Sequence, residues 1–251
     1  MALDIHQFAC LSDNYGFLIR DQASGKVGCV DTPDAEAILA ELSKLGWTLD
    51  LILNTHWHPD HAGGNARLQE ETGCAIVGPQ EVTRIAPLDR PVDEGDAVDL
   101  GGTRFQVLNT GGHTLGHITY YDAADGVAFV GDTLFALGCG RLFEGTAEQM
   151  WTSLSKLTAL PEDTRVYCAH EYTASNARFA LSVDDGAAIK VRAAAVFAAR
   201  ERGEPTVPTT IGQEKASNPF LRAPVLALGR GAASPAAAFA AVRAAKDVFT
   251  G

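Results

Sequence analysis

The chain of 251 residues is poor in positive charge: 20 Lys and Arg face 31 Asp and Glu, a formal net charge of −11. A nucleic-acid partner is therefore not expected, because displacing counterions from phosphates needs a surplus of cations. An anionic membrane surface is disfavoured on the same ground. No run approaches the roughly 20 apolar residues that span a bilayer. Residues 1–10 contain Asp4 and His6 and lack a basic start followed by an apolar stretch, so they do not read as a secretory signal. Cysteine is scarce and scattered: Cys10, Cys29, Cys74, Cys139 and Cys168 are odd in number and form no C-x-x-C pair. That excludes a disulfide scaffold and zinc-finger spacing, and a reduced, cytoplasmic protein acting as a monomer is the simplest expectation.

What is present is an ordinary globular composition, 46% hydrophobic and 20% charged. Phe17–Ile19 and Val27–Val30 read as a hairpin pair around Ala23-Ser24-Gly25. Residues 35–45 carry apolar side chains at helical spacing, stopped by Gly46. Leu49–Leu53 is a compact apolar run suited to a buried strand, and 75–77, 105–108, 118–121, 127–130 and 166–168 read as further strands. Thr146 and Gln149 have the spacing of a capping box opening a helix to Ala159. Strands interleaved with helices imply an α/β core. From about Thr173 alanine dominates, with helices expected at 174–181 and 187–202, a Pro- and Thr-rich connector at 205–210, and a last helix from Ser234-Pro235 to Phe249. The expected division is a catalytic domain over 1–172 and a small helical domain over 173–251.

Histidine is also scarce, seven in all, yet three fall in Thr55-His56-Trp57-His58-Pro59-Asp60-His61, directly after the buried strand. In a loop restrained by Pro59, three imidazoles and a carboxylate can converge on one point. Without thiolates this donor set is unlike a purely structural zinc site, and it suits Zn, Fe or Mn. Three more strands end in donor residues: Gly112-His113-Thr114, Gly131-Asp132-Thr133 and Ala169-His170-Glu171. Ligands of α/β sheets gather at such strand ends.

These segments, in this order, resemble the motifs of the metallo-β-lactamase superfamily. The continuations Asp60-His61-Ala62-Gly63-Gly64-Asn65, Gly131-Asp132-Thr133-Leu134-Phe135, Gly138-Cys139-Gly140, Phe143-Glu144-Gly145-Thr146 and Glu204-Pro205-Thr206-Val207-Pro208 are similar to glyoxalase II, the hydroxyacylglutathione hydrolases, over nearly the whole chain. The resemblance implies an αββα sandwich followed by a C-terminal α-helical domain. It also implies two divalent metal ions, zinc foremost, with iron or manganese open. His56, His58 and His113 would hold the first ion, Asp60, His61 and His170 the second, and Asp132 would bridge them. His6 and His117 are left over, and a structural role is expected for His117.

The implied reaction is hydrolysis of the thioester of S-(2-hydroxyacyl)glutathione, typically S-D-lactoylglutathione, by a hydroxide shared between the metals, with Asp60 and Asp132 as the catalytic carboxylates. This would be the second step of methylglyoxal detoxification. The leaving thiol has an ordinary pKa of about 8.5, so no general acid is needed. For the anionic peptide, Arg243 and Lys246 match the family's Arg-x-x-Lys pair and share a helix face; read without the family, they are a solvated face. Tyr172 matches a substrate-binding tyrosine. Arg141 stands where the family commonly has Lys, and Phe143 where it commonly has Tyr, which removes one hydroxyl contact. The competing readings are a mononuclear iron persulfide dioxygenase, a β-lactamase, a nuclease and a non-catalytic metal-binding scaffold. The long helical C-terminus opposes the first, Asp132 in place of a cysteine the second, the acidic charge the third, and the filled donor positions the last.

Overall fold

The computed structural model describes residues 3–251. By contacts the chain divides into two compact units, one running to Asn109 and resuming over Gly116–Gly131, the other formed by Thr110–Leu115 and Asp132–Gly251. This is a different partition from the one read from composition, because residues 132–172 cluster with the helical C-terminus.

The first unit holds β1 (Leu3–Cys10), β2 (Asn14–Asp21), β3 (Val27–Val30), α1 (Ala35–Leu45), β4 (Leu51–Leu53), α2 (Pro59–Ala62), α3 (Asn65–Thr72), β5 (Ala75–Gly78), β6 (Arg90–Pro91), β7 (Ala97–Leu100), β8 (Thr103–Asn109), β9 (Ile118–Asp122) and β10 (Val127–Gly131). One sheet has the order β1-β2-β3-β4-β5-β6, antiparallel from β1 to β3 and parallel from β3 to β6. The strands β7 to β10 form an antiparallel meander. Alternation along β2 shows how the layers stack. Phe17 meets Phe129 of β10, ring centroids 5.7 Å apart. Leu18, pointing the other way, packs with Ile38 and Leu42 of α1 and Leu68 of α3. With helices on one face and the second sheet on the other, β4 is buried at every residue, which is why Leu51-Ile52-Leu53 is continuously apolar rather than alternating. α1 begins where the Asp34 carboxylate accepts from the Glu36 and Ala37 amides, and it ends at Gly46 in the left-handed region.

The second unit holds β11 (Leu134–Phe135), β12 (Gly138–Cys139), α4 (Ala147–Thr158), β13 (Arg165–Cys168), α5 (Thr173–Val183), α6 (Ala187–Glu201), β14 (Thr209–Thr210), α7 (Ile211–Ser217) and α8 (Pro235–Asp247). The capping box of α4 forms, with Thr146 accepting from the Gln149 amide and the Gln149 side chain returning to the Thr146 amide. Ser234 caps α8 as its spacing predicts. That helix ends at Asp247, two residues before the expected Phe249, and the Phe249 ring lies against Phe179 at 5.4 Å. The Pro- and Thr-rich connector contains a cis Val207-Pro208 bond and then β14, which pairs with β13. Phe179, Phe220 and Phe239 form the aromatic centre of this unit. Among the described residues no helix is long and apolar enough to cross a membrane.

Candidate functional site

In the first unit β4 delivers the chain into the loop carrying His56, His58, Asp60 and His61, and the side chains gather closely. His56 Nε2 and His58 Nδ1 are 3.0 Å apart, and the His56 and His61 rings are 4.0 Å apart. The residue that organises them is Asp31, buried just after β3 with φ of 57°. Its carboxylate accepts from the Thr55 amide (2.7 Å), the Thr55 hydroxyl (2.8 Å) and His61 Nδ1 (2.8 Å). Because the Thr55 proton goes to Asp31, the Thr55 oxygen accepts from His56 Nδ1 at 3.0 Å. Both rings therefore hold a proton on Nδ1 and present an Nε2 lone pair, the tautomer of an imidazole ligand whose far nitrogen is anchored to the protein. His61 Nε2 faces Asp60 Oδ2 at 3.6 Å, and the Asn14 amide donates to that same oxygen at 3.1 Å.

His117, buried, stacks on His56 at 4.7 Å. Gly131 closes β10 at φ of +46°, where a Cβ would sit 2.5 Å from Thr55 Oγ1 and 2.7 Å from His117 Nε2. Glycine is required there so that β10 can run against the loop's supports.

In the second unit His113, Asp132 and His170 come together. His113 Nδ1 donates to the Arg141 carbonyl at 2.8 Å, which turns its Nε2 lone pair to Asp132 Oδ2 at 3.4 Å. The other Asp132 oxygen faces His170 Nε2 at 3.3 Å. Gly140 allows this convergence, since a Cβ on it would lie 2.0 Å from the Asp132 carbonyl oxygen. A nitrogen lone pair aimed at a carboxylate oxygen, two electron-rich atoms in a buried place, is the arrangement a cation between them satisfies. The donor set fits a divalent metal in both units: imidazole Nε2 and carboxylate oxygens, with no thiolate.

A cavity of about 340 Å³ opens in the second unit, lined by His113, Asp132, Arg141, Phe143, Tyr172, Arg243 and Lys246 together with Phe135, Cys139, Ser175 and Asn176. Every expected substrate-binding residue lies on it, and each takes a distinct place. Tyr172 stacks flat on His170, 4.7 Å apart at an interplanar angle of 2°. Phe143 is 62% exposed at the rim, edge-on to His113.

Arg243 is only 5% exposed, which corrects the solvated-face reading of that helix. Its guanidinium donates to the Asp247 carboxylate and to the Cys139 carbonyl, and it lies over the Phe220 ring. Lys246 donates to Ser175 Oγ, and burial together with the neighbouring Arg243, Arg141 and Arg178 charges pulls its pKa down. The cavity is thus positive although the chain is acidic. The Cys139 thiol in its wall is pushed up to about 11 by burial, so it remains a neutral thiol and not a nucleophile.

Asp31, Asn14, Ser175 and Asn176 are the residues sequence reasoning did not single out, and Cys139 entered it only within Gly138-Cys139-Gly140, with no role assigned. Only Asp31 carried any signal, as a polar residue directly after the apolar strand Val27–Val30.

A family model described as the metallo-beta-lactamase superfamily matches residues 27–170, and one described as the hydroxyacylglutathione hydrolase C-terminus matches 171–249. Over 250 residues the chain is 52% identical to the hydroxyacylglutathione hydrolase of Erythrobacter litoralis, covering 98% of this chain and 100% of the relative. Among solved structures, ETHE1 from Myxococcus xanthus matches with a TM-score of 0.67 at 30% identity, covering 87% of this chain and 84% of that one. TTHA1623 in a di-iron-bound form matches at 0.62 and 26%, covering 87% and 100%. The chain belongs to the metallo-β-lactamase superfamily, with the fold its sequence implied. Within it, the chain belongs to the hydroxyacylglutathione hydrolases.

Proposed function

We propose that this chain hydrolyses the thioester of S-(2-hydroxyacyl)glutathione, with S-D-lactoylglutathione as first substrate, releasing glutathione and a 2-hydroxy acid in the second step of methylglyoxal detoxification. The observation that carries the reading is one cavity in which the donors His113 and Asp132 share a wall with Arg141 and Lys246. Such a cavity suits a carboxylated peptide whose reactive carbon must lie beside metal ligands. The family relationship points the same way.

We assign His56, His58 and His113 to one divalent ion, Asp60, His61 and His170 to a second, and Asp132 to both. Zinc is the first expectation, with iron or manganese as alternatives; the di-iron form of TTHA1623 supports a paired site. Bound, the ions supply a water that ionises near neutral pH and an electrophile for the thioester oxygen. Asp60, held by Asn14, orients the attacking water. Arg141 and Lys246 attract the peptide carboxylates, and Tyr172 and Phe143 flank the acyl group on the His170 and His113 sides. The departing thiolate, with an ordinary pKa of about 8.5, leaves without a protonating side chain.

One chain supplies all seven donors and the cavity, so a monomer suffices. Functionally we place the division near residue 172, with the donors and Arg141 before it and the α8 cations Arg243 and Lys246 beyond. Five buried free cysteines suit a reducing cytoplasm.

The test compares hydrolysis of S-D-lactoylglutathione with that of a lactoyl thioester whose thiol lacks peptide carboxylates. The proposal expects strong preference for the glutathione ester; equal rates would remove glutathione from it.

A further inference from the structure

The hairpin formed by β11 and β12 follows Asp132 by one residue and places Phe135 and Cys139 in the cavity wall. Its two-residue turn, Ala136-Leu137, is unusual because Leu137 sits at φ of 58°, a region that a leucine disfavours. Side chains, not backbone, hold it there. Glu214 of α7, 0% exposed, accepts the Leu137 amide at 2.9 Å on one carboxylate oxygen and the Thr209 hydroxyl at 2.6 Å on the other, where it also pairs with Arg192. Asn218, also 0% exposed, donates its amide to the Gly138 carbonyl at 2.9 Å, the Phe135 carbonyl at 3.2 Å and Glu214 at 2.9 Å. Asn176 takes the Ala136 carbonyl at 3.1 Å. The Leu137 side chain is driven between α5 and α6, among Ala177, Ile189 and Ala193. Arg243 completes the set at the Cys139 carbonyl, 3.1 Å away.

A buried charge with this many fixed partners is retained at a desolvation cost. The groups it fixes are backbone atoms of the cavity wall. We infer that Glu214 and Asn218 are positioning residues for substrate binding: they hold the 134–139 hairpin, and through it Phe135 and the Cys139 carbonyl that orients Arg243, in the shape that accepts the glutathione moiety. The inference rests on the hydrolase reading. Neither residue lines the cavity, so an effect on the substrate has to pass through the hairpin.

The experiment measures kcat and KM for S-D-lactoylglutathione in Asn218→Ala and in the near-isosteric Glu214→Gln, with metal content and thermal unfolding on the same samples. In whichever variant folds, KM rises about tenfold while kcat stays within about threefold and metal content is unchanged. A lower melting temperature with unchanged KM makes the network purely structural and overturns the inference, leaving the hydrolase reading intact. No turnover in the unsubstituted chain overturns that reading, and the substrate role of the hairpin falls with it.

Discussion

Asp31 accepts the Nδ1 proton of His61 at 2.8 Å, and the same carboxylate, through Thr55, sets the tautomer of His56. One buried acid outside the donor motif thus prepares two of the imidazoles within it. Replacing Asp31 by Ala should weaken metal binding by about 10- to 100-fold, the usual cost of losing a carboxylate behind a ligating histidine. Competition with a chromophoric chelator measures this, and unchanged affinity would show that the loop holds its imidazoles unaided.

Lys246 gives a pH dependence of known sign. Its pKa is lowered in the folded chain, so the unfolded chain binds the proton more readily between that lowered value and the ordinary 10.5. Its charge therefore costs stability at neutral pH, and the cost fades as pH rises through that window. Lys246→Met should be slightly more stable than the parent at pH 7, with the difference shrinking toward pH 10. It should also bind substrate worse, KM rising on the order of tenfold with little change in kcat, as expected for an interaction equal in ground and transition states. Calorimetric scans across pH and steady-state kinetics at pH 7 read the two halves. A less stable variant, or a fall confined to kcat, would contradict this account of Lys246.

Phe143 should be open to improvement. It is 62% exposed beside His113, at the cavity rim, with no hydroxyl to offer. Phe143→Tyr adds a hydrogen bond worth about 0.5–1.5 kcal/mol, which should lower KM roughly 2- to 10-fold. An unchanged KM would mean that the substrate does not reach this ring.

Much of the site was legible because its chemistry is concentrated. Donor residues directly after apolar strands announced four strand ends, and Thr146, Gln149, Ser234 and Pro235 announced two helix starts by local rules that hold whatever packs around them. The supports were not legible. Asp31, Glu214 and Asn218 act over 24, 77 and 80 residues of sequence, and although Asp31 follows an apolar run, nothing local names the partners of any of the three. The seven-residue α7 is too short to show a helical period. The spacing of Arg243 and Lys246 places them on one face of α8 without saying that Phe220 buries one of them. The contact partition, which assigns 132–172 to the helical unit, depends on packing that composition does not report.

The most direct test of the account counts metal ions and thiol release on one sample of purified chain given S-D-lactoylglutathione. The account predicts two divalent ions per chain, and stoichiometric thiol release that stops on chelation and returns when metal is restored. A single iron with no thiol release, and oxygen consumption with glutathione persulfide, would contradict it.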